Sequence, residues 1–260
     1  MTSRQVGRFL KEADLKPHLS KYWLNPKIDD PAEYKKEVAE TCQIYAKASE
    51  LHAEGTRVVS TDEKTCIQAI ERCAVTRPMK PGHPEKIEFE YKRHGVIALI
   101  PSFEVATGKI LDYHIGPTRE SADFAAHIEA TVGDDRDGKW IFVLDTHMSE
   151  PLVRLAARLS GHDGDLGEKG VSGILKDMAS RKRFLHDPAH RVRLVHTPKH
   201  CSWLNQVEIW FGVLSRKVLR RGNFTSVEEM KTKMKDFIDY FNRTMARPYK
   251  WTYKGIPLTA

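Results

Sequence analysis

The four cysteines, Cys42, Cys66, Cys73 and Cys201, are scattered along 260 residues and form no CxxC pair. That argues against a zinc ribbon and a disulfide scaffold, and it makes a reducing cytosol the simplest setting. No apolar run is long enough to cross a bilayer, and the start, Met1-Thr-Ser-Arg-Gln, carries no apolar signal core. The chain has neither GxxxxGK[ST] nor GxGxxG, so no nucleotide cofactor is expected. HExxH is missing as well. The pairs His186/His190 and His196/His200 have helical spacing, but Pro188 and Pro198 fall inside them, so neither pair suits a regular helix. There are no internal repeats. The expectation is a cytoplasmic protein with no membrane partner.

What the chain does have is a core and a positive charge. Forty per cent of residues are apolar, the formal net charge is +7 and the pI is about 9.1. The length fits one large domain or a domain plus an appendage. A basic balance fits a polyanion, nucleic acid first, although it also fits an ordinary basic enzyme.

Periodicity outlines the elements. Residues 1–16 read as a short basic helix with Ser3 as cap, Val6, Leu10 and Ala13 as stripe, and Pro17 as stop. A link containing Tyr22, Trp23 and Pro26 follows, then a helix from Pro31 to about Glu50. Arg57 to Thr61, Val96 to Phe103 and Lys109 to Ile115 read as strands, with Thr107-Gly108 as a turn. Ser121 to Val132 reads as a helix. Trp140 to Leu144 lacks polar alternation and is expected to be a strand covered on both faces. A helix through Leu152, Leu155 and Leu159 precedes a glycine-rich insertion at about 160–190, helical in its second half. Arg191 to Val195 is expected to be a strand. Trp203 to Arg220, capped by Ser202 and closed by Gly222, is expected to be one helix. Ser226-Val-Glu-Glu229 reads as a capping box for a last helix with Met230, Met234, Phe237 and Phe241 inward. The order predicts a mixed sheet with helices on its faces, an α/β fold of the ribonuclease-H-like kind.

Position singles out three of the 35 acidic residues. Asp62 ends the first strand, Asp145 ends the most buried one, and Glu208 follows Leu204 by one helical turn. Clustered carboxylates suit two Mg²⁺ ions, which activate a nucleophile and stabilise a leaving oxygen on either side of phosphorus. Each residue taken singly has a plainer role: Asp62 as a turn former, with Glu63 the alternative carboxylate, Asp145 as a helix cap, and Glu208 as an ion-pair partner. Candidate DNA contacts are Arg181, Lys182 and Arg183 with Arg191 and Arg193 beside them, Lys199 and His200, and Arg216, Lys217, Arg220 and Arg221. His147 and His200 are candidates to orient a phosphate or water. Trp203 and Trp210 could stack on a base, but at this spacing they serve equally well as packing residues.

Three strings resemble the transposases of the bacterial insertion-sequence family IS630, kin of the Tc1/mariner elements in the DDE superfamily. They are Val58-Val-Ser-Thr-Asp62-Glu-Lys-Thr, Trp140-Ile-Phe-Val-Leu-Asp145, and Thr197-Pro-Lys-His-Cys-Ser-Trp-Leu-Asn-Gln-Val-Glu208-Ile-Trp-Phe. The resemblance implies a ribonuclease-H-like fold and cut-and-paste transposition at TA dinucleotides. It implies Asp62, Asp145 and Glu208 as the metal-binding catalytic triad. The implied partners are double-stranded DNA (element ends and target) and a second copy of the chain on that DNA, with the protein at the nucleoid when bound. It also implies that residues 1–50 are the remnant of a helix-turn-helix region with its linking helix, and that 51–260 are the catalytic domain. Two features depart from the family pattern: only the last helix of the DNA-reading region is matched, and the segment after Asp145 is shorter, with Thr146 where Asn is usual. The alternatives are a related two-metal nuclease or integrase, and an inactive DNA-binding remnant.

Overall fold

The computed structural model describes residues 2–17, 19, 30–133, 135, 137–145 and 148–253. Two compact units divide the chain, Met1–Pro31 and Ala32–Ala260. The second helix is packed into the larger unit. In the first unit, α1 (Ser3–Glu12) is capped by Thr2 rather than Ser3, through a capping box with Gln5, and none of its residues is buried. Tyr22, Trp23 and Pro26 lie outside the described residues.

The larger unit is a three-layer sandwich. Its elements run α2 (Pro31–Ala46), α3 (Ala48–Ala53), β1 (Thr56–Thr61), β2 (Lys64–Arg72), β3 (Tyr91–Glu104), β4 (Ile110–Gly116), α4 (Ser121–Val132), β5 (Lys139–Leu144), α5 (Glu150–Leu159), α6 (Met178–Leu185), β6 (Val192–His196), α7 (Val207–Leu214) and α8 (Val227–Thr244). The six strands form one mixed sheet in the order β2-β3-β1-β5-β6, with β4 on the other edge of β3. Alternation along each strand separates two cores. Val58, Leu99, Val143 and Val195 face Val207, Trp210, Phe211 and the inner side of α8. Val59, Ile100, Phe142 and Leu194 face α4, α5 and Leu185 of α6. A third cluster joins Val38 and Cys42 of α2 to Cys201 and Leu204.

Strand β2 has no counterpart among the expected elements. Its sequence, Lys-Thr-Cys-Ile-Gln-Ala-Ile-Glu-Arg, lacks a clean alternation because a bulge at Cys66, with φ 56°, interrupts it. β1 and β2 are two halves of one line. Thr61 pairs with Ser102 and Lys64 with Leu99, so the register carries straight across and Asp62 and Glu63 fall opposite Pro101 and Ile100. Pro101 has no N–H to offer, and the ladder opens there. Its carbonyl accepts a bond from the Thr61 hydroxyl at 2.9 Å.

The helix expected over Trp203 to Arg220 is divided. A 3₁₀ turn spans Ser202–Leu204, Asn205 is extended with ψ 111°, α7 begins at Val207, and Ser215–Leu219 is a π-turn. Asn205 breaks the helix because its amide is drawn into the sheet, as described below. The last helix keeps half of the expected capping box: the Ser226 hydroxyl accepts from the Glu229 N–H at 3.1 Å, but the Glu229 carboxylate accepts from the Thr225 N–H at 2.8 Å, one residue early; Met230, Met234 and Phe241 are buried. Ile238 is buried with them, in the place expected for Phe237.

Gly108 closes the β3–β4 turn with φ +72°, and a Cβ there would fall on the backbone carbonyl of Arg247. Gly55 has φ +83° and open space around it. Gly55→Ala is expected to cost about 1–2 kcal/mol from backbone strain alone, and Gly108→Ala distinctly more in urea unfolding. Equal losses would mean that Arg247 does not pack on the turn.

Candidate active site

The parallel register of β1 and β5 brings the first two carboxylates together. Thr56 pairs with Lys139 and Ser60 with Val143, and the same register carried past the strand ends sets Asp62 beside Asp145. Adjacent strands lie about 4.8 Å apart, so the two side chains share one spot at the carboxyl end of the sheet.

The segment between β6 and α7 supplies their hydrogen bonds. Asn205 is fully buried, and its Nδ2 donates to the Thr61 carbonyl at 2.9 Å and to Asp62 Oδ2 at 3.2 Å. Its Oδ1 accepts from the Ser60 hydroxyl, whose oxygen in turn accepts from the Val207 N–H at 2.9 Å. The Glu63 N–H donates to Asp62 Oδ1 at 2.8 Å. Asp145 accepts from the Thr197 hydroxyl at 3.4 Å and the Ser202 hydroxyl at 3.3 Å. Ser202, expected to cap a helix, serves the carboxylate instead. Tyr34 of α2 anchors this loop from behind, its hydroxyl 2.9 Å from the Cys201 sulfur.

Glu208 stands in the first turn of α7. Val207, Trp210 and Phe211 are buried, but Glu208 itself is exposed, turned out of the packed face. Partial desolvation raises its pKa, and the negative charges of Asp62 and Asp145 raise it further while Lys64 opposes them. The three carboxylates therefore sense one another. Among the described residues no three His, Cys, Asp or Glu side chains converge on a single point. The donor set still fits a hard divalent cation: it is all oxygen, and the repulsion felt at Glu208 is of the kind a bound cation would relieve.

Glu63, the alternative to Asp62, turns the other way. Its side chain is only 8% exposed and lies 3.7 Å from Arg119. The first basic candidates are largely used up inside the fold. Arg181 is buried, donating to the Leu175 carbonyl at 2.7 and 3.2 Å and to the Met148 carbonyl at 3.4 Å. Lys182 pairs with Glu37 and Arg193 with Glu40, while Arg191 donates to the carbonyls of Leu159, Asp135 and Gly138. Three arginines of that stretch and Lys182 thus tie α6 and β6 to their neighbours, and Arg183 is exposed. Lys199, His200, Arg216, Lys217, Arg220 and Arg221 are exposed. His147 lies outside the described residues. Trp210 is a core residue, whereas Trp203 is half-exposed and edge-on to Tyr253 at 5.0 Å. The residues not foreseen are Asn205, Ser60, Thr197 and Ser202. All four lie inside the strings that carried the resemblance, but a small polar residue gives no sign in sequence that its side chain will bond to a carboxylate or its neighbours.

The sheet order, the layers and the carboxylate position define a ribonuclease-H-like domain. Residues 57–231, more than half of the chain, match the family model for the DDE superfamily endonucleases, and the chain belongs to that family. No curated protein sequence matches it. Among solved structures the fold resembles the Mos1 transposase paired-end complex with left transposon end, at TM-score 0.54 and 14% identity over 92% of this chain and 63% of that one. It also resembles the Mos1 mariner paired-end complex with Mn, at TM-score 0.55 and 14% identity over 92% and 64%. The Mos1 strand transfer complex matches at TM-score 0.51 and 13% identity over 92% and 63%. The chain thus spans less than two thirds of the length of these transposase chains.

Two outcomes follow from the site. Asn205→Ala leaves the Ser60 hydroxyl and Thr61 carbonyl buried without their partner, and should cost about 1–3 kcal/mol in urea unfolding. For Glu208, a carboxyl whose folded pKa lies above its unfolded value contributes stability below the unfolded pKa and loses it as pH rises through the folded one. The metal-free protein should therefore lose stability as pH climbs above the ordinary glutamate range. Glu208→Gln should melt higher than wild type at pH 7 but not at pH 4; equal melting at both would remove the claimed repulsion.

Proposed function

We propose that this protein is a DNA transposase of the IS630 kind, which cleaves DNA strands at the ends of a mobile element and joins them to target DNA. The observation that carries the reading is the adjacency of Asp62 and Asp145 at the ends of two parallel strands, with Glu208 within electrostatic reach on a helix that follows. Membership of the DDE superfamily endonucleases supports it, as does the likeness to structures described as transposase paired-end and strand transfer complexes.

Asp62, Asp145 and Glu208 would hold two Mg²⁺ or Mn²⁺ ions, which when bound acidify a water or 3′-hydroxyl and stabilise the departing oxygen. Asp62 and Asp145 sit on rigid strand ends, so they fix the axis along which the phosphodiester must lie. Asn205, Thr197 and Ser202 orient the carboxylates by donating to them. Glu208, exposed in the first turn of α7, would supply the third carboxylate from the helix side of the site. Residues 1–50 include what corresponds to the end of a helix-turn-helix region and its linking helix, which would read element ends, and 160–190 form an insertion in the catalytic domain. Two element ends must meet for transfer, which calls for two copies of the chain on DNA. Lys199, His200, Arg183, Arg216, Lys217, Arg220 and Arg221 remain candidate backbone contacts, with the nucleoid as the site of action.

The test is Mn²⁺ calorimetry paired with cleavage of duplex DNA. Losing a partner of a metal ligand typically weakens metal binding about 10–100-fold. Asp145→Asn and Glu208→Gln, which remove ligands themselves, should exceed that loss and abolish cleavage. Variants that bind Mn²⁺ like wild type would refute the triad. A wild-type chain that binds DNA in a salt-dependent way but takes no metal would be an inactive DNA-binding remnant.

A further inference from the structure

We infer that Lys64 is a DNA-contacting residue of the active site, its ammonium held on the Phe211 ring where it can take a phosphate oxygen of the strand being cut; this rests on the nuclease reading above. Along the broken strand the side chains alternate. Ser60 and Asp62 turn toward Asn205 and α7, Glu63 turns away to Arg119, and Lys64 returns to the α7 face. There its Nζ stands 5.4 Å from the centre of the Phe211 ring. Phe211 is buried and lies three residues after Glu208 on α7, one turn along the same side of the helix. The bulge at Cys66 lets Lys64 and the core residue Ile67 face the same side although an odd number of residues separates them.

Several other cations of the fold are spoken for. Arg119 is beside Glu63, Lys182 beside Glu37 and Arg193 beside Glu40, and Arg181 is spent on carbonyls. Among the described residues Lys64 forms no ion pair, and an aromatic face rather than a carboxylate holds it. An ammonium within electrostatic reach of Glu208 opposes the binding of a divalent cation there. That opposition is offset when an anion joins the site, and the anion this chemistry brings is a phosphodiester. An ammonium set over an aromatic ring and within electrostatic reach of Glu208 is suited to meet one.

The experiment uses the full chain and a generic duplex oligonucleotide, with Ca²⁺ present, read by fluorescence anisotropy over a range of salt. Lys64→Met keeps the stem on Phe211 and removes the charge; Lys64→Arg keeps the charge; Lys64→Gln stands in should the Met variant fail to fold. The neutral variants should bind DNA about tenfold more weakly at low salt and lower the slope of log K against log salt by about 0.9, one phosphate contact. Lys64→Arg should retain both, and Mn²⁺ affinity by calorimetry should be unchanged or tighter in the neutral variants. Unaltered DNA affinity and slope in the neutral variants, with only Mn²⁺ binding tightened, would make Lys64 a mere counter-charge to Glu208 and overturn the inference. Failure of the nuclease reading has a separate signature, Glu208→Gln binding Mn²⁺ like wild type, and with it the placement of Lys64 at a cutting site falls.

Discussion

One buried amide ties the site to the fold. Asn205 leaves the helical path between a 3₁₀ turn and α7 and inserts its side chain between the end of β1 and the start of that helix. Through it the Ser60 hydroxyl, the Thr61 carbonyl and the Asp62 carboxylate share a single network, and through Ser60 that network reaches the first N–H of α7. A network of this kind, once fully satisfied in a low-dielectric interior, fixes geometry more firmly than packing does. Glu208, the residue next to Val207, inherits its place from that tie. The carboxylate pair needs no such help, since the parallel pairing of β1 with β5 sets Asp62 against Asp145 by register alone.

This division explains which parts could be read from the sequence. β5 was visible because Trp140 to Leu144 is an unbroken apolar run, and the Ser121–Val132 helix because its apolar spacing and ends agree. The Asp62 and Asp145 positions followed from strand ends. β2 was invisible because its bulge spoils the period that reveals strands, and its pairing depends on β3, far along the chain. The single long helix over Trp203 to Arg220 was misjudged for the opposite reason. Leu204, Val207, Phe211, Leu214 and Val218 keep helical spacing, and the demand of a buried side chain overrode that local preference at Asn205.

The distribution of positive charge carries the same lesson. Arg181, Lys182, Arg191 and Arg193 look in sequence like a basic patch, yet in the fold they satisfy carbonyls and the acids Glu37 and Glu40 of α2. Basic composition is therefore a poor guide to which cations meet DNA. What matters is whether a charge has a partner within the protein, and this depends on contacts between segments more than a hundred residues apart, as for Glu37 and Lys182.

The broken line of β1 and β2 has a consequence for how such chains can vary in length. Both halves share one register against β3, with Asp62 and Glu63 filling the gap opposite Pro101 and Ile100. One residue added or lost there would turn Lys64 and the start of β2 to the opposite side of the sheet, taking Lys64 away from the pocket. By contrast, the segment from Cys73 to Glu90 is mostly exposed, with Val75 and Phe89 open to solvent, and is stitched by two isolated bridges, Arg77 to Lys86 and Lys80 to His83. Insertions at its tip would leave both the sheet and the pocket untouched. Within one hairpin, then, the base by the pocket allows no change of length, while the far end is free to accept any.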